Sequence, residues 1–581
     1  MIFRLLVKAD NRLHSRGSFV VSRLQSVLGA SGALVVGLFM ASVALRLYGP
    51  TVHPDEFGFL INGQVLLGRD EAPIPTGSFY PAAYGFVTGL GHVVTGSMSG
   101  AYSFSLLVNL ALACVTAWFA ARLAVKGLGA SRNLGILAGA IVFVVPGTIV
   151  SAMFSWAETV ARLAFLAFVA VVLRAAHTLS QRDVLALGVF VGLMPALHGR
   201  FTLLIPVVAL TVLWWLYDRK VSKWVVVSSF LAMGVAYAMS YGLNTFIKSS
   251  VYTTSYDQEN RLLARLFDPS VWPALIRTMI GQTWYLIATT LGLFGVAVFF
   301  IVARVVSVVK HQRDRHDAEA TALMVMLLGT FAVIFTGGLQ LLYGDRGDHL
   351  IYGRYVEMMV PAFLVVACVA FERTARFAHR ALLITGVLTL LIAVVYVSVD
   401  GRDGLRDAFD RNRIVFPNII GTDLAQYVVT PGLISFALLF FAGTLLMWLM
   451  LRQGGALALL FFVVLLGAGS MYSGHTSILP RTDILERSGT SVEVAASGDV
   501  TEIGFDRGVR NDRAYYYMRY LLHPVKVRML DVAVTDGDVP EELNCVYGWA
   551  DRAPISGNWN IVAEESALSR VLWQRVGTAS C

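Results

Sequence analysis

The chain has 581 residues, of which 56% are hydrophobic and only 14% charged, with a mean hydropathy of +0.66 and a formal net charge of +8. Soluble domains carry roughly a quarter charged residues, so a soluble globular protein is excluded and a polytopic membrane protein is expected. The Lys and Arg residues fall mostly in short turns between apolar segments, as membrane orientation requires, and give no signal for nucleic acid.

Residues 1–26 form a basic leader carrying Arg4, Lys8, Arg12, Arg16 and Arg23. It reads as cytoplasmic, and the apolar run 27–48 reads as an uncleaved first span. Residues 50–100 then form an outer loop whose only Lys or Arg is Arg69. It opens on His53-Pro54-Asp55-Glu56, two adjacent carboxylates at the mouth of a span, which are costly unless they face water or a partner. Residues 57–67 are apolar but too short to cross, and are expected to lie as a helix in the membrane interface.

Spans follow at 101–125, 134–151 and 159–173, with Trp156 and Glu158 in the outer turn between the last two. Residues 184–217 read as a tight hairpin with His198-Gly199-Arg200 at its outer tip, its first arm short enough to be re-entrant. Further spans are expected at 224–246, 276–303, 321–343, 356–371 and 382–399. Between them lie an outer loop from Lys248 and an outer turn holding Arg346, His349, Gly353, Arg354 and Tyr355. Residues 400–427 mix arginines with acids and conflict with the positive-inside rule, but the five preceding inner turns agree in phase and place this loop outside. The pair 431–450 and 456–472 brings the total to about thirteen spans.

Residues 473–581 are of a different character and read as a small extracytoplasmic domain, α/β or α+β. Strands are expected at 492–500, 525–534 and 559–562, and helices at 511–522 and 566–576. Cys114 and Cys368 lie within apolar runs and fill space. Cys545 and Cys581 lie in the tail and would form one bridge if it is outside the cytoplasm.

On the outer face, acids cluster early in the chain and bases late. Carboxylates can take a proton from a hydroxyl, and arginine forks bind phosphate. Each residue also has a plainer reading. Asp55 and Glu56 could be a water-facing cap. Glu158 could pair with Arg162 at i, i+4. Arg200 could snorkel. Arg354 could pair with Asp345, Asp348 or Glu357. His198 and His349 could be ordinary hydrogen-bonding groups.

An outer Pro54-Asp55-Glu56 after the first span, a second outer turn from Trp156 to Glu158, and a late Gly353-Arg354-Tyr355 entering a span with Pro361 resemble the GT-C superfamily. These are the integral-membrane glycosyltransferases that use polyprenyl-phosphate sugars. Their members include protein O-mannosyltransferases, the lipid A aminoarabinose transferase and actinobacterial arabinosyl- and mannosyltransferases. The resemblance covers nearly the whole membrane part.

It implies an all-α GT-C-like membrane domain over 27–472, and an inverting transfer of sugar from a polyprenyl-phosphate donor to a glycan, lipid or protein hydroxyl. Asp55 would be the general base and Glu56 its support. Glu158, with His53 and Trp156, would lie on the acceptor or metal side. Arg354 and Tyr355, helped by Arg200, Lys248 and His349, would hold the donor phosphate. A divalent cation occurs near the first acid in some members, although no ligand spacing here demands one. The likeness suits the outer face of a bacterial plasma membrane and an envelope glycan.

Independently of the family, nucleotide sugars are cytoplasmic while the acids here lie outside, and the chain lacks a Gly-rich phosphate loop followed by Lys. A transporter or flippase of a lipid-linked or anionic solute is the competing expectation. Such proteins place ionisable groups near the midplane on broken helices, whereas these sit at the outer ends of spans.

Overall fold

The structure, a computed structural model, describes residues 19–47, 49–51, 54–74, 79–252, 258–310, 317–342, 351, 353–400, 433–482, 495, 498, 500–507, 512–532, 539–554, 557–565, 569–578 and 580–581. His53, Arg346, His349 and the loop 400–427, apart from its first residue, lie outside that set, as does most of the strand expected at 492–500.

Several helices start the same way, with serine as N-cap and a basic residue next to it. The Ser22 hydroxyl accepts from the Gln25 N–H while Gln25 reaches back to the Ser22 N–H, a reciprocal cap that opens α1 (Arg23–Ala44). Ser131 caps α5 (Arg132–Val144) and Ser222 caps α9 (Lys223–Val251). Each hydroxyl satisfies an N–H that the helix itself leaves orphaned.

Between α1 and α5 come α2 (Asp55–Leu66), α3 (Gly85–Thr95) and α4 (Met98–Arg122). After α5, which bends into a short turn Pro146–Ile149, come α6 (Glu158–Thr178), α7 (Gln181–Leu197) and α8 (Leu204–Tyr217). Beyond α9 lie α10 (Gln258–Phe267), α11 (Trp272–Thr289), α12 (Leu293–Lys310), α13 (Ala318–Gln340), α14 (Val360–Asp400), α15 (Leu433–Gly454) and α16 (Ala456–Ser473).

Ten helices among the described residues are long and apolar enough to cross a membrane, or eleven if α5 and its bent continuation make one span. The protein is thus a multi-pass membrane protein, and the count among the described residues is below the expected thirteen. Two local causes account for the difference. The short arm α7 has 17 residues. α14 counts as one of the ten, but Thr374 is non-helical, with φ −145° and ψ 51°, and divides it into two helices between the spans expected at 356–371 and 382–399. The span expected at 276–303 breaks at Leu291 and Gly292, both at positive φ, into α11 and α12.

Helix α7 lies directly against α9. A Cβ on Gly188 or Gly192 would stand 2.6 or 2.5 Å from the carbonyl oxygens of Ser229 and Met233. Ser240 also donates to the Gly192 carbonyl at 2.9 Å. Small residues and hydroxyls are how helices associate where lipid removes the hydrophobic drive.

Helix α2 also departs from expectation. An interfacial helix needs a lipid-facing apolar side, yet Glu56 to Val65 are all buried, so α2 is an internal strut. Gly63 fits against the Gly89 backbone of α3, where a Cβ would lie 2.6 Å from the Gly89 nitrogen.

The tail folds as α+β. Helix α17 (Asp512–Leu521) packs by a five-stranded sheet of order β2-β1-β3-β5-β4. The strands are β1 (Glu502–Asp506), β2 (Lys526–Leu530), β3 (Cys545–Trp549), β4 (Trp559–Glu565) and β5 (Arg570–Arg575). β1 runs parallel to β2 and β3, and β5 runs antiparallel to β3 and β4. The helix expected over 566–576 is instead β5. Val571, Leu572 and Trp573 are consecutive and buried because β5 is an internal strand, and an unbroken apolar run does not distinguish strand from helix. Cys545 and Cys581 are joined by a disulfide.

The tail shares one apolar core with the helices. Arg519 of α17, 3% exposed, reaches the Ala72 and Pro73 carbonyls and Glu71, and stands 5.2 Å over the Phe57 ring of α2. Tyr516 meets Phe57 at 5.2 Å, and Lys526 pairs with Asp70.

Candidate functional site

Asp55 and Glu56 are the first two residues of α2, yet they face different neighbours. Glu56, fully buried, accepts the Thr51 N–H at 2.7 Å through one oxygen and the Ser155 N–H at 2.7 Å through the other. It ties the chain entering α2 to the turn before α6. Asp55 is more open, with a side chain 21% exposed. It pairs with Arg354 and accepts the Tyr80 hydroxyl at 2.6 Å. Burial, and then the Asp55 carboxylate, push the Tyr80 phenol well above its ordinary pKa, so it stays a donor. A Cβ on Gly58 would overlap the Tyr80 ring, so that glycine admits the tyrosine. Asn62 of α2 holds the Tyr80 carbonyl at 2.8 Å and accepts from Tyr252 at 3.0 Å.

Arg354 is the hub. Its guanidinium pairs with both Asp55 and Glu158, and lies 4.1 Å over the Trp156 ring. The Trp156 N–H is anchored on the Ser151 carbonyl at 2.9 Å. The second Glu158 oxygen is buried without a hydrogen-bond partner among the described residues.

Glu158 does not pair with Arg162, as i, i+4 spacing would allow. Arg162 reaches Glu357 at 2.9 Å and the Ser151 hydroxyl at 2.8 Å, and Glu357 also accepts from Tyr285. This buried group lies behind the Gly353-Arg354-Tyr355 turn. The Glu357 N–H bonds the Gly353 carbonyl at 3.0 Å, and a Cβ on Gly353 would overlap the Tyr285 ring.

Arg200 stacks on Tyr355 at 3.2 Å, meets His198 at 3.2 Å and donates to Gln340 at the end of α13. Burial and the charges of Arg200 and Arg354 hold the His198 imidazole well below its ordinary pKa, hence neutral. The structure thus joins Asp55, Trp156, Glu158, Arg200, Arg354 and Tyr355 in one cluster, with Glu56 directly beside it. Lys248, in the last turn of α9, is half-buried, and no hydrogen bond or ion pair links it to the cluster among the described residues.

Sequence reasoning missed Tyr80, Ser155, Tyr285 and Gln340. The polar members of apolar spans, Tyr285 and Gln340, were a usable signal. Tyr80 and Ser155 stand in loops that carry many such residues and had none.

Among the described residues no ligand set for a divalent cation is assembled at this cluster. The Arg354 guanidinium stands between Asp55 and Glu158, and no group of three or more His, Cys, Asp or Glu side chains converges among the described residues.

Beside Arg200 an apolar groove of about 360 Å³ runs between α8 and α13. Leu203 and Phe335 line its near end, and Trp214 and Met324 its far end. Leu203 shares a helical turn with Arg200.

No protein-family model matches this chain, and no curated protein does. Among solved structures, ArnT from Cupriavidus metallidurans bound to undecaprenyl phosphate superposes with a TM-score of 0.52 at 15% identity, over 95% of this chain and 98% of that one. The apo state of the same ArnT gives 0.48 at 15% identity, over 94% and 97%. The Archaeoglobus fulgidus oligosaccharyltransferase, in its apo form, gives 0.41 at 10% identity, over 89% and 70%. The last two are too loose to carry an argument. The first shows that this chain shares the fold of that ArnT along nearly its whole length.

Proposed function

We propose that this protein is an inverting glycosyltransferase that moves a sugar from a polyprenyl phosphate to an acceptor hydroxyl on the extracytoplasmic face of the plasma membrane. The observation that carries the reading is the meeting of Asp55 with Arg354, 299 residues apart, in one cluster at helix ends, with Glu158 beside them. A base and a phosphate-binding cation stand within one substrate's reach.

In this reading the acceptor hydroxyl gives its proton to Asp55, and its oxygen attacks the anomeric carbon. The bond from that carbon to the phosphate oxygen breaks, and polyprenyl phosphate leaves with the bonding pair. Arg354 and Arg200 stabilise the charge that grows on it. Tyr80 orients Asp55 and Glu56 fixes the start of α2. Trp156 holds Arg354, and the unpartnered oxygen of Glu158 receives a polar group of the acceptor. The polyprenyl chain lies in the α8–α13 groove. The glycan, lipid or protein nature of the acceptor and the arabinosyl or mannosyl class are open within this reading.

The basic leader and the disulfide both favour a cytoplasmic N-terminus and an extracytoplasmic tail, since disulfides persist in oxidising compartments. The domain division, a leader over 1–26, a membrane domain over 27–472 and a tail over 473–581, follows from the same topology.

The test is transfer from a radiolabelled polyprenyl-phosphate sugar by the purified full-length protein in lipid vesicles. Asp55→Asn should retain donor binding and lose product and free polyprenyl phosphate. Parental turnover in that variant would overturn the mechanism. Movement of donor between leaflets without bond cleavage, by the parent protein, would favour a flippase.

A further inference from the structure

A second apolar groove, of about 520 Å³, lies away from the site, with α5 as its floor and α1 and α4 as its walls. Its lining is almost wholly apolar and includes Ala30, Leu34, Ala111, Trp118, Ile136 and Gly139. Leu34 and Trp118 are exposed on helices that are apolar and long enough to span, so this trough faces lipid.

Its three helices all bring an arginine to the same end. Arg23 precedes Ala30 by seven residues on α1, Arg122 follows Trp118 by four on α4, and Arg132 precedes Ile136 by four on α5. Spacings of four and seven keep each arginine on the groove side of its helix. All three are exposed, and no carboxylate pairs with any of them among the described residues. Arg122 is folded back over the Trp118 ring at 5.5 Å, which sets its guanidinium at the mouth. Lys126 is exposed at the same end. The Glu372 carboxylate accepts the Ser131 N–H at 3.0 Å. At the opposite end, Arg46 follows α1 in the turn past its last residue, Ala44.

We propose that this groove is a binding site for an anionic phospholipid, with one acyl chain in the trough and the phosphate on Arg23, Arg122 and Arg132. The dimensions favour a chain over a helix. A membrane-spanning helix of about 10 Å diameter and 30 Å length fills about 2,400 Å³, several times the groove. A second copy docked here by two-fold symmetry would also face the three arginines with the same three. An anionic headgroup instead meets them with charge-assisted hydrogen bonds.

The full-length protein, purified in mild detergent, is examined by native mass spectrometry with added phosphatidylglycerol or phosphatidylcholine. Phosphatidylglycerol carrying a photoactivatable group in its acyl chain maps the site. The expected result is retention of phosphatidylglycerol over phosphatidylcholine by about a hundredfold, with crosslinks on α1, α4 and α5, since each of the three basic residues near an anionic headgroup adds about fivefold. Arg122→Gln with Arg132→Gln should lose most of that preference. Because these arginines also set orientation, Ala111→Phe provides a second arm. It fills the trough, keeps all three arginines and should lose retention equally. Equal retention of the two lipids, crosslinks elsewhere, or intact retention by Ala111→Phe overturns the proposal. Crosslinks from this groove to a second copy of the chain overturn it in favour of a protein contact.

Discussion

Replacing Arg354 by alanine has two consequences that can be separated. The side chains of Arg354, Glu158 and Asp55 are 10%, 5% and 21% exposed, so two carboxylates would lose their shared cation in a largely desolvated place. Stripping one partner from a buried ion pair costs about 3–5 kcal/mol. Lifting the guanidinium off Trp156 adds about 1 kcal/mol. Against a total stability of about 5–15 kcal/mol, the single variant is badly destabilised, and lost activity alone would say little. The informative protein is Arg354→Ala combined with Glu158→Gln, in which the neutral amide removes the orphaned buried charge. Thermal unfolding in detergent should recover most of the parental midpoint. Relative to Glu158→Gln alone, transfer from a polyprenyl-phosphate sugar should stay down by about 10²–10³-fold, the usual effect of losing one charge-stabilising donor. Near-parental turnover in a stable double variant would show Arg354 to be only a structural counter-ion, and the phosphate role would fall.

Three further outcomes follow from the same geometry. Tyr80→Phe removes a 2.6 Å hydrogen bond to Asp55 and should cost about 1 kcal/mol of stability; steady-state kinetics should show a lower kcat with KM for donor little changed, and a pure KM effect would contradict an orienting role. Gly353→Ala forces a methyl into the Tyr285 ring, with an overpacking cost of about 1–3 kcal/mol; donor binding should weaken because Arg354 shifts, and parental binding would show that the turn is not held by this contact. Glu71, despite burial that raises its pKa, is held below the usual carboxylate value by its bond with His523 and the charge of Arg519. Its contribution is therefore complete above the unfolded value of 4.5 and lost as pH falls through the lower folded value. Proteolytic release of the tail should rise on acidification below that range, and Glu71→Gln should flatten the profile; an unchanged profile in the variant would assign the effect to another group.

The tail has a part in this site that is not visible in its own sequence. Arg519 and Tyr516 press on Phe57, the neighbour of Glu56, and Arg519 also holds the Ala72 and Pro73 carbonyls. The segment that carries Asp55 thereby packs against the tail.

Membrane character, most span positions, and the short motifs Asp55-Glu56 and Gly353-Arg354-Tyr355 were legible in the sequence. They rest on local signals: runs of apolar residues, basic turns and prolines act within one or two helical turns. The misreadings arose where a local pattern has two solutions. The run Val571-Leu572-Trp573 suits a buried strand as well as a helix, and only its place inside the sheet decides. Glu158 and Arg162 are neighbours on one helix face, yet each pairs with a residue almost 200 positions away, Arg354 and Glu357. A carboxylate in a low-dielectric interior takes whichever cation the packed helices bring to it with the best geometry. Which charges would share a turn was written in the chain; which of them would meet across the bundle was decided only when the helices packed.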